Sequence, residues 1–354
     1  MEIRTYEGDG QDVVRLIEKV WQSNYGGKTW APSWSLETLR WQILAPRNAE
    51  ARDCLLAVYE GTRLTGCFFA DLCNFSVRGE PVRGSLMSWF TVDPDAGAPM
   101  VAVQLVREMS RRHAALDAAF SIGYVMGKPN TPARRFWGRY AELHPRELRF
   151  LRRVGYWVRV LDPSAVSRAG LTRIERWGAP WLRFWQPGWP LRPSAASIRA
   201  FQTRDLPDCL RLVNYANRGI DLGLTWSEDR LLRHLAASNV SETLVCETPA
   251  GVNGFLNYQR MTFHGREPLD CALIDLFAGS STLAEASLLL RVALQRMRDA
   301  GLKAAVMLRT ATCRAGPLLA GGFLPLPAQD HLVGLFPTSR PESLPTRRIS
   351  VLLR

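Results

Sequence analysis

The second half of this chain repeats the first, and that repetition restricts the fold more than any other feature. Ile3-Arg4-Thr5-Tyr6 is answered by Ile198-Arg199-Ala200-Phe201, Trp34-Ser35 by Trp226-Ser227, Gly66 by Gly254 and Glu80-Pro81 by Glu267-Pro268. The separation between partners drifts by only a few residues, so the order and spacing of the elements are kept. Two copies of one unit account for such a series better than a single large fold does. The 354 residues allow two domains, each large enough for a core of its own.

Within the first copy, Glu2 to Glu7 reads as a strand and Gln11 to Tyr25 as a helix, with Val13, Val14, Ile17, Val20 and Trp21 at helical spacing. Ser35 stands where an N-cap belongs, between Trp34 and Leu39, a hydrophobic-staple arrangement that starts a second helix through Leu44. Trp226, Ser227 and Leu231 repeat the device. Strands follow at Cys54 to Tyr59, Leu64 to Phe75 and Leu86 to Val92, joined by short turns and therefore antiparallel. A helix from Pro99 to about His113 and a strand from Ala118 to Val125 imply a parallel crossover. A further helix covers Thr131 to Tyr140. The second copy repeats this with strands Thr243 to Glu247, Gly254 to Phe263 and Cys271 to Phe277, helix Ala284 to Ala300 and strand Ala304 to Leu308. The expected class is α/β, as two tandem units that each flank a mixed central sheet with helices.

Hydrophobic residues make up 47% and charged residues 22%, a globular composition with no apolar run long enough to span a bilayer. No signal peptide is visible in Met1 to Gly10. The seven cysteines are scattered and never spaced as C-x-x-C, which fits inert thiols in a reducing cytoplasm better than a zinc site, so no metal is expected. Net charge is +12 and nearly all of it is arginine, lysine standing only at 19, 28, 128 and 303. That balance allows acidic partners, although a GC-rich genome produces the same bias. The cluster Arg134, Arg135, Arg139, Arg146, Arg149, Arg152 and Arg153 lacks a nucleic-acid motif, and nucleic acid is disfavoured as a partner.

The segment between the copies differs in character. It carries Trp177, Trp181, Trp185 and Trp189 at four-residue spacing among several arginines, while Pro180, Pro187, Pro190 and Pro193 preclude one continuous helix. It reads either as a strap packed on both domains or as an interfacial patch for a membrane surface or an acidic partner. The organisation is then a unit at 1–161, a Trp/Arg/Pro-rich linker at 162–197, a second unit at 198–340 and a tail at 341–354.

This order of elements resembles the GCN5-related N-acetyltransferase family in tandem, on two stretches of the first copy. Phe90-Thr91-Val92-Asp93-Pro94-Asp95-Ala96-Gly97, leading into the helix at Pro99, is similar to the family's strand-loop-helix that holds the pyrophosphate of acetyl-CoA. Asn130-Thr131-Pro132-Ala133-Arg134-Arg135-Phe136-Trp137 is similar to its N-x-x-A-x-x-L-Y signature beside the pantetheine arm. The resemblance implies an N-acyltransferase that takes acetyl-CoA or another acyl-CoA as cosubstrate and a small-molecule or peptide amine as acceptor. The cofactor would be held by Phe90, Thr91, Val92, Asp95, Ala96, Gly97, Ala98, Asn130, Ala133 and Trp137.

Independently of that likeness, a helix N-terminus offers unpaired N–H groups and a positive dipole end, and small residues let a phosphate approach. The family's Arg or Gln and its two spaced glycines are missing here. Trp137 stands where the resemblance places the acid that protonates the leaving thiolate, and an indole cannot serve. Tyr140, one turn later, and Tyr124, on the preceding strand, are the alternatives. Glu80 is a candidate base, as is Asp71, and Tyr25 and Trp30 are candidates for the acceptor pocket. In the second copy Thr282 and Glu285 form a capping-box pattern that occupies the amides a phosphate needs, so that copy reads as structural. The competing reading is a non-catalytic scaffold of the same fold that binds a membrane or an acidic partner through the linker.

Overall fold

The computed structural model describes residues 1–45, 49–127, 130–184, 196–237, 239–279, 282–337 and 344–353. In chain order the N-terminal copy runs β1 (Glu2–Thr5), α1 (Gln11–Tyr25), β2 (Ala31–Ser33), α2 (Leu36–Leu39), α3 (Ala49–Asp53), β3 (Leu55–Glu60), β4 (Arg63–Val77), β5 (Glu80–Val92), α4 (Ala98–Ala115), β6 (Ser121–Val125), α5 (Pro132–Leu143), β7 (Leu148–Val154) and β8 (Tyr156–Val160). The joint contributes α6 (Pro163–Ala169) and α7 (Arg173–Gly178). The C-terminal copy then runs β9 (Ser197–Ala200), α8 (Leu206–Ala216), β10 (Leu222–Leu224), α9 (Glu228–Leu235), β11 (Ser241–Thr248), β12 (Gly251–His264), β13 (Pro268–Gly279), α10 (Leu283–Asp299), β14 (Ala304–Leu308), α11 (Ala315–Ala320), β15 (Leu324–Pro325), β16 (Asp330–Leu335) and β17 (Ile349–Ser350).

The repeat is visible at the level of hydrogen bonds. Ser35 and Ser227 each accept the amide three residues on, Thr38 and Arg230 respectively, as N-caps. Gly66 pairs with Val58 and Gly254 with Cys246, and in both hairpins the register shifts at the next residue. The Val77–Pro81 turn closes with Arg78 and Gly79 both at positive φ, the twist a tight hairpin needs. Helix α10 turns Ala286, Leu289, Leu290, Ala293, Leu294 and Met297 onto its sheet. Each fully buried leucine there contributes about 1.5–3 kcal/mol.

The two mixed sheets, flanked by helices, realise the expected α/β class, but they do not divide at residues 161 and 198. The first sheet runs β1-β3-β4-β5-β6-β16-β7 and the second β15-β8-β14-β13-β12-β11-β9. Strand β8 of the first copy therefore pairs with β14 of the second, while β16 of the second inserts between β6 and β7. The short strands cross as well, β2 onto β12 and β10 onto β4. Residues 341–354, read above as a tail, are corrected by the structure where it describes them. Leu344, Ile349, Val351, Leu352 and Leu353 are buried, and β17 pairs with β10. Leu344, Ile349, Val351 and Leu352 join one hydrophobic core and Leu353 another, which a local reading of a short terminal stretch does not reveal.

Polar groups seal the junction between the copies. Arg230 of α9 forms an ion pair with Asp71 of β4, both largely buried. Gln42 donates to Gln259, which donates to Asp275, and His234 lies 3.5 Å from the same carboxylate. Asp71, a candidate base by sequence, is thus committed to Arg230. All seven cysteines are free.

His113, in the last turn of α4, is fully buried, and neither ring nitrogen has a hydrogen-bond partner among the described residues. Burial lowers its pKa from 6.5 to about 4. A group neutral in the fold but protonated in the unfolded chain stabilises above its unfolded pKa and costs stability as the pH falls below it. Between pH 6.5 and 4 this one side chain should remove about 3 kcal/mol. His113→Leu should flatten that limb while matching the wild type at pH 7, as read from urea midpoints at the two pH values.

Candidate active site

Strands β5 and β6 run parallel but share only the pairs Ser85 with Ser121 and Leu86 with Ile122. Past this rung β5 follows β4 to Val92 and β6 follows β16 to Val125, so a wedge opens between them. Two features fix its apex. The Ser85 hydroxyl donates to Ser121 Oγ at 2.6 Å, and Gly123 lies against Met87 so closely that a Cβ would stand 2.7 Å from the Met87 carbonyl oxygen. Just beyond, β5 carries an extra residue, since Phe69 pairs with Ser88 but Cys67 with Thr91. Trp89 occupies this bulge at φ +58°, a left-handed conformation that costs about 1–3 kcal/mol in a non-glycine residue. It is held by Trp34, whose ring lies 4.8 Å away, and by the Cys67 thiol, which donates to the Trp89 carbonyl.

The wedge encloses a cavity of about 100 Å³. Its walls are Trp21, Tyr25 and Trp30 near α1 and β2, Met87 to Phe90 on β5, Gly123 to Met126 around the end of β6, and Ala133 and Trp137 on α5. Val333 of the inserted β16 and Leu353 close it from the far end of the chain. None of these lining side chains is charged. Trp34 Nε1, Ser88 Oγ and Trp89 Nε1 are buried there without a hydrogen-bond partner among the described residues. Unsatisfied buried polar atoms are costly unless something else pairs with them.

In an overlay of solved structures, Saccharomyces cerevisiae N-myristoyltransferase with bound myristoyl-CoA matches 95% of this chain and 78% of its own, with TM-score 0.68 and 14% identity. A GCN5-related N-acetyltransferase from Anabaena variabilis ATCC 29413 matches 95% of this chain and 73% of its own, with TM-score 0.58 and 10% identity. The chain has the tandem GCN5-related N-acetyltransferase fold. No protein-family model matches the sequence, and no curated protein does.

On this acetyltransferase fold the sequence-derived site residues fall into three groups. Tyr25, Trp30, Phe90, Tyr124, Ala133 and Trp137 come together on the cavity wall. Burial raises the pKa of Tyr25, opposed by the Ala133 amide at the start of α5. Tyr124 donates to the Val351 carbonyl at 3.1 Å, and burial raises its pKa so that it stays protonated. Trp137 packs 4.9 Å from Phe90. Asn130, just before α5, is exposed.

Thr91, Val92, Asp95, Ala96, Gly97 and Ala98 form the second group, between the end of β5 and the start of α4. Thr91 accepts from the Trp21 indole at 3.1 Å. Gly97 is the left-handed N-cap of α4, where a Cβ would meet nothing within 4 Å. The loop has no basic residue of its own, but the fold supplies two. Lys19 of α1 reaches Asp93 at 2.9 Å and Asp95 at 3.2 Å, and Arg63 at the start of β4 binds Asp93 as well. Burial works against the charge of Asp93, yet Lys19, the Asp95 amide and Arg63 outweigh it and hold the carboxyl below its usual range. The helix end, its open glycine and Lys19 fit a diphosphate. The two aspartates cancel the nearby positive charge, so the backbone dipole has to carry more of the attraction.

Tyr140 and Glu80 make up the third group, and neither lines the cavity. The Tyr140 hydroxyl donates to Glu147 at 2.8 Å within an aromatic stack. Glu80 begins β5, exposed at the hairpin turn, about 25 Å along the strand from Ser88. In the second copy the Thr282 hydroxyl accepts the Glu285 amide and the Glu285 carboxylate accepts the Thr282 amide, so α10 caps itself. The reading missed Lys19, Arg63, Ser88, Trp89 and Gly123. Lys19 and Arg63 join the loop only across tens of residues, and nothing local marks Trp89 as a bulge.

Proposed function

We propose that the protein is an acyl-CoA-dependent N-acyltransferase that works from the wedge of its N-terminal copy and uses acetyl-CoA or a similarly short acyl-CoA. The observation that carries this reading is the wedge cavity beside a strained bulge, lined by Trp34, Ser88 and Trp89, whose polar side-chain atoms have no partner among the described residues. A thioester carbonyl and an amide-bearing arm are groups that such donors accommodate. The cavity, about 100 Å³, has the volume of a few water molecules, which suits a short acyl group rather than a long chain. The diphosphate would lie at the N-terminus of α4 and the pantetheine arm between β5, β6 and α5.

The chemistry asks little of the side chains. An uncharged aromatic cavity disfavours an ammonium ion, so the acceptor amine enters as its free base and the released proton passes to water. The amine nitrogen attacks the carbonyl carbon; a C–N bond forms, the C–S bond breaks, and the thiolate takes a proton. Tyr124 on the cavity wall, whose hydroxyl donates to the Val351 carbonyl in the free protein, would turn that proton to the thiolate and regain one from the water that took the amine's proton. The C-terminal copy, with α10 self-capped, serves as the structural half that completes the wedge.

Calorimetry with acetyl-CoA tests the binding step, and an absence of heat up to millimolar concentration would overturn the proposal. Tyr124→Phe should leave that affinity unchanged and slow thiol release to a simple primary amine about 100-fold. An unchanged rate would remove Tyr124 from the mechanism.

A further inference from the structure

Three of the most exposed large apolar side chains in the described chain lie on one short helical segment. Ile174 is 84% exposed, Trp177 75% and Trp181 73%. They stand at positions i, i+3 and i+7 of α7 and the 3₁₀ turn that continues it, so they share one face. No residue of α7 is buried. Trp177 and Trp181, the two tryptophans described in the joint, are therefore largely exposed; Trp185 and Trp189 lie outside the described residues.

The segment is nevertheless firmly attached. Thr172 and Glu175 form a capping box, Ser167 donates to the Arg176 carbonyl at 2.6 Å, and the Trp30 indole donates to Glu175 at 3.1 Å. The inner face is thus pinned to a residue of the active-site cavity while the outer face projects an apolar ridge. Arginines surround it: Arg168, Arg173, Arg176 and Arg266. Glu175 is turned inward, and Glu267 pairs with Arg168 at 3.5 Å. Arg176 Nε is buried without a hydrogen-bond partner among the described residues, beside an open groove walled by Trp177, Trp181 and Arg266.

We infer that this ridge docks the protein on an anionic lipid bilayer, with Trp177 and Trp181 in the interfacial layer and Arg176 and Arg266 on lipid phosphates. Tryptophan suits a boundary that is apolar on one side and wet on the other, and arginine pairs with phosphate through a planar fork. The shape argues against a second protein. The two indole rings offer roughly 300–500 Å² at 150–250 Å² per aromatic ring, and Ile174 adds less than a ring does, short of the ~800 Å² per partner of a stable interface. No helix among the described residues is long and apolar enough to cross a membrane, so the attachment is peripheral. Through Trp30 the docking element touches the cavity wall, which would bring the acceptor site close to a lipid surface. This inference does not depend on the acyltransferase reading.

Co-sedimentation of the full chain with sucrose-loaded vesicles is the test. The wild type should pellet with phosphatidylcholine vesicles containing phosphatidylglycerol and much less with phosphatidylcholine alone, and added salt should weaken the binding. Trp177→Ser with Trp181→Ser should reduce partitioning at least tenfold at an unchanged melting temperature, these side chains being exposed. Arg176→Gln with Arg266→Gln should abolish the preference for phosphatidylglycerol. A wild type that stays in the supernatant with phosphatidylglycerol vesicles overturns the inference, and so does a tryptophan double variant that pellets as the wild type does. A concentration-dependent dimer that the same double variant dissolves would assign the ridge to protein association instead.

Discussion

Arg230→Met should destabilise the protein by about 3–5 kcal/mol, the largest effect expected of a single side chain here. Arg230 reaches from α9 of the second copy to Asp71 on β4 of the first, and the Asp71 side chain is 6% exposed. Removing the guanidinium leaves a largely buried carboxylate without its ion-pair partner. The cost is one of desolvation, so a double variant that also changes Asp71 to Leu should recover most of the loss. Urea unfolding of both variants separates the two cases. If the double variant is as weak as the single, packing rather than charge governs the site. Because the pair joins the copies, the single variant should also broaden the transition or split it in two if the halves cease to unfold together.

Gly123→Val should abolish measurable acyl-CoA binding while leaving the secondary structure in place. The new Cβ would meet Met87 Cγ at 2.6 Å and the Met87 carbonyl oxygen at 2.7 Å. The side-chain atom can move aside, but the carbonyl belongs to β5 and cannot. Strand β6 must therefore shift at the point where the wedge begins. A displacement of about 1 Å there costs on the order of 100-fold in a reaction that depends on alignment. Overpacking should take a further 1–3 kcal/mol or so from stability, visible as a lower urea midpoint. Calorimetry with acetyl-CoA reads the functional effect and circular dichroism the fold. Wild-type affinity in this variant would mean that the thioester is bound outside the wedge.

Much of the architecture could be read without coordinates because it rests on local physics. The α1 boundaries, Gln11 to Tyr25, and the β14 boundaries, Ala304 to Leu308, coincide with the apolar periodicity. Ser35 and Ser227 cap as their neighbours suggest, and the Thr282–Glu285 box forms as its spacing requires. The stretch 148–160 escaped that reading. There β7 carries Arg149, Arg152 and Arg153 and β8 Arg159, and both pair with strands from the other copy, so no local hairpin pattern announces them. The site was legible where a motif is contiguous. Ala133 and Trp137 reach the cavity because one helix presents them on one face. Tyr140, one turn further, is drawn instead to Glu147, a competition that helical spacing alone cannot decide.

Periodicity, caps and turn residues determined by themselves that this chain folds as two copies of one α/β unit, since each acts within a few residues of its own position. Only the tertiary structure decided which copy each strand joins, and with it the composition of the wedge. Exchange of β8 and β16 between the sheets, the burial of Leu353 and the arrival of Lys19 and Arg63 at Asp93 all come from pairings across many residues. Their energy lies in burial and hydrogen bonding that exist only once both sheets are assembled, so no segment carries the information alone.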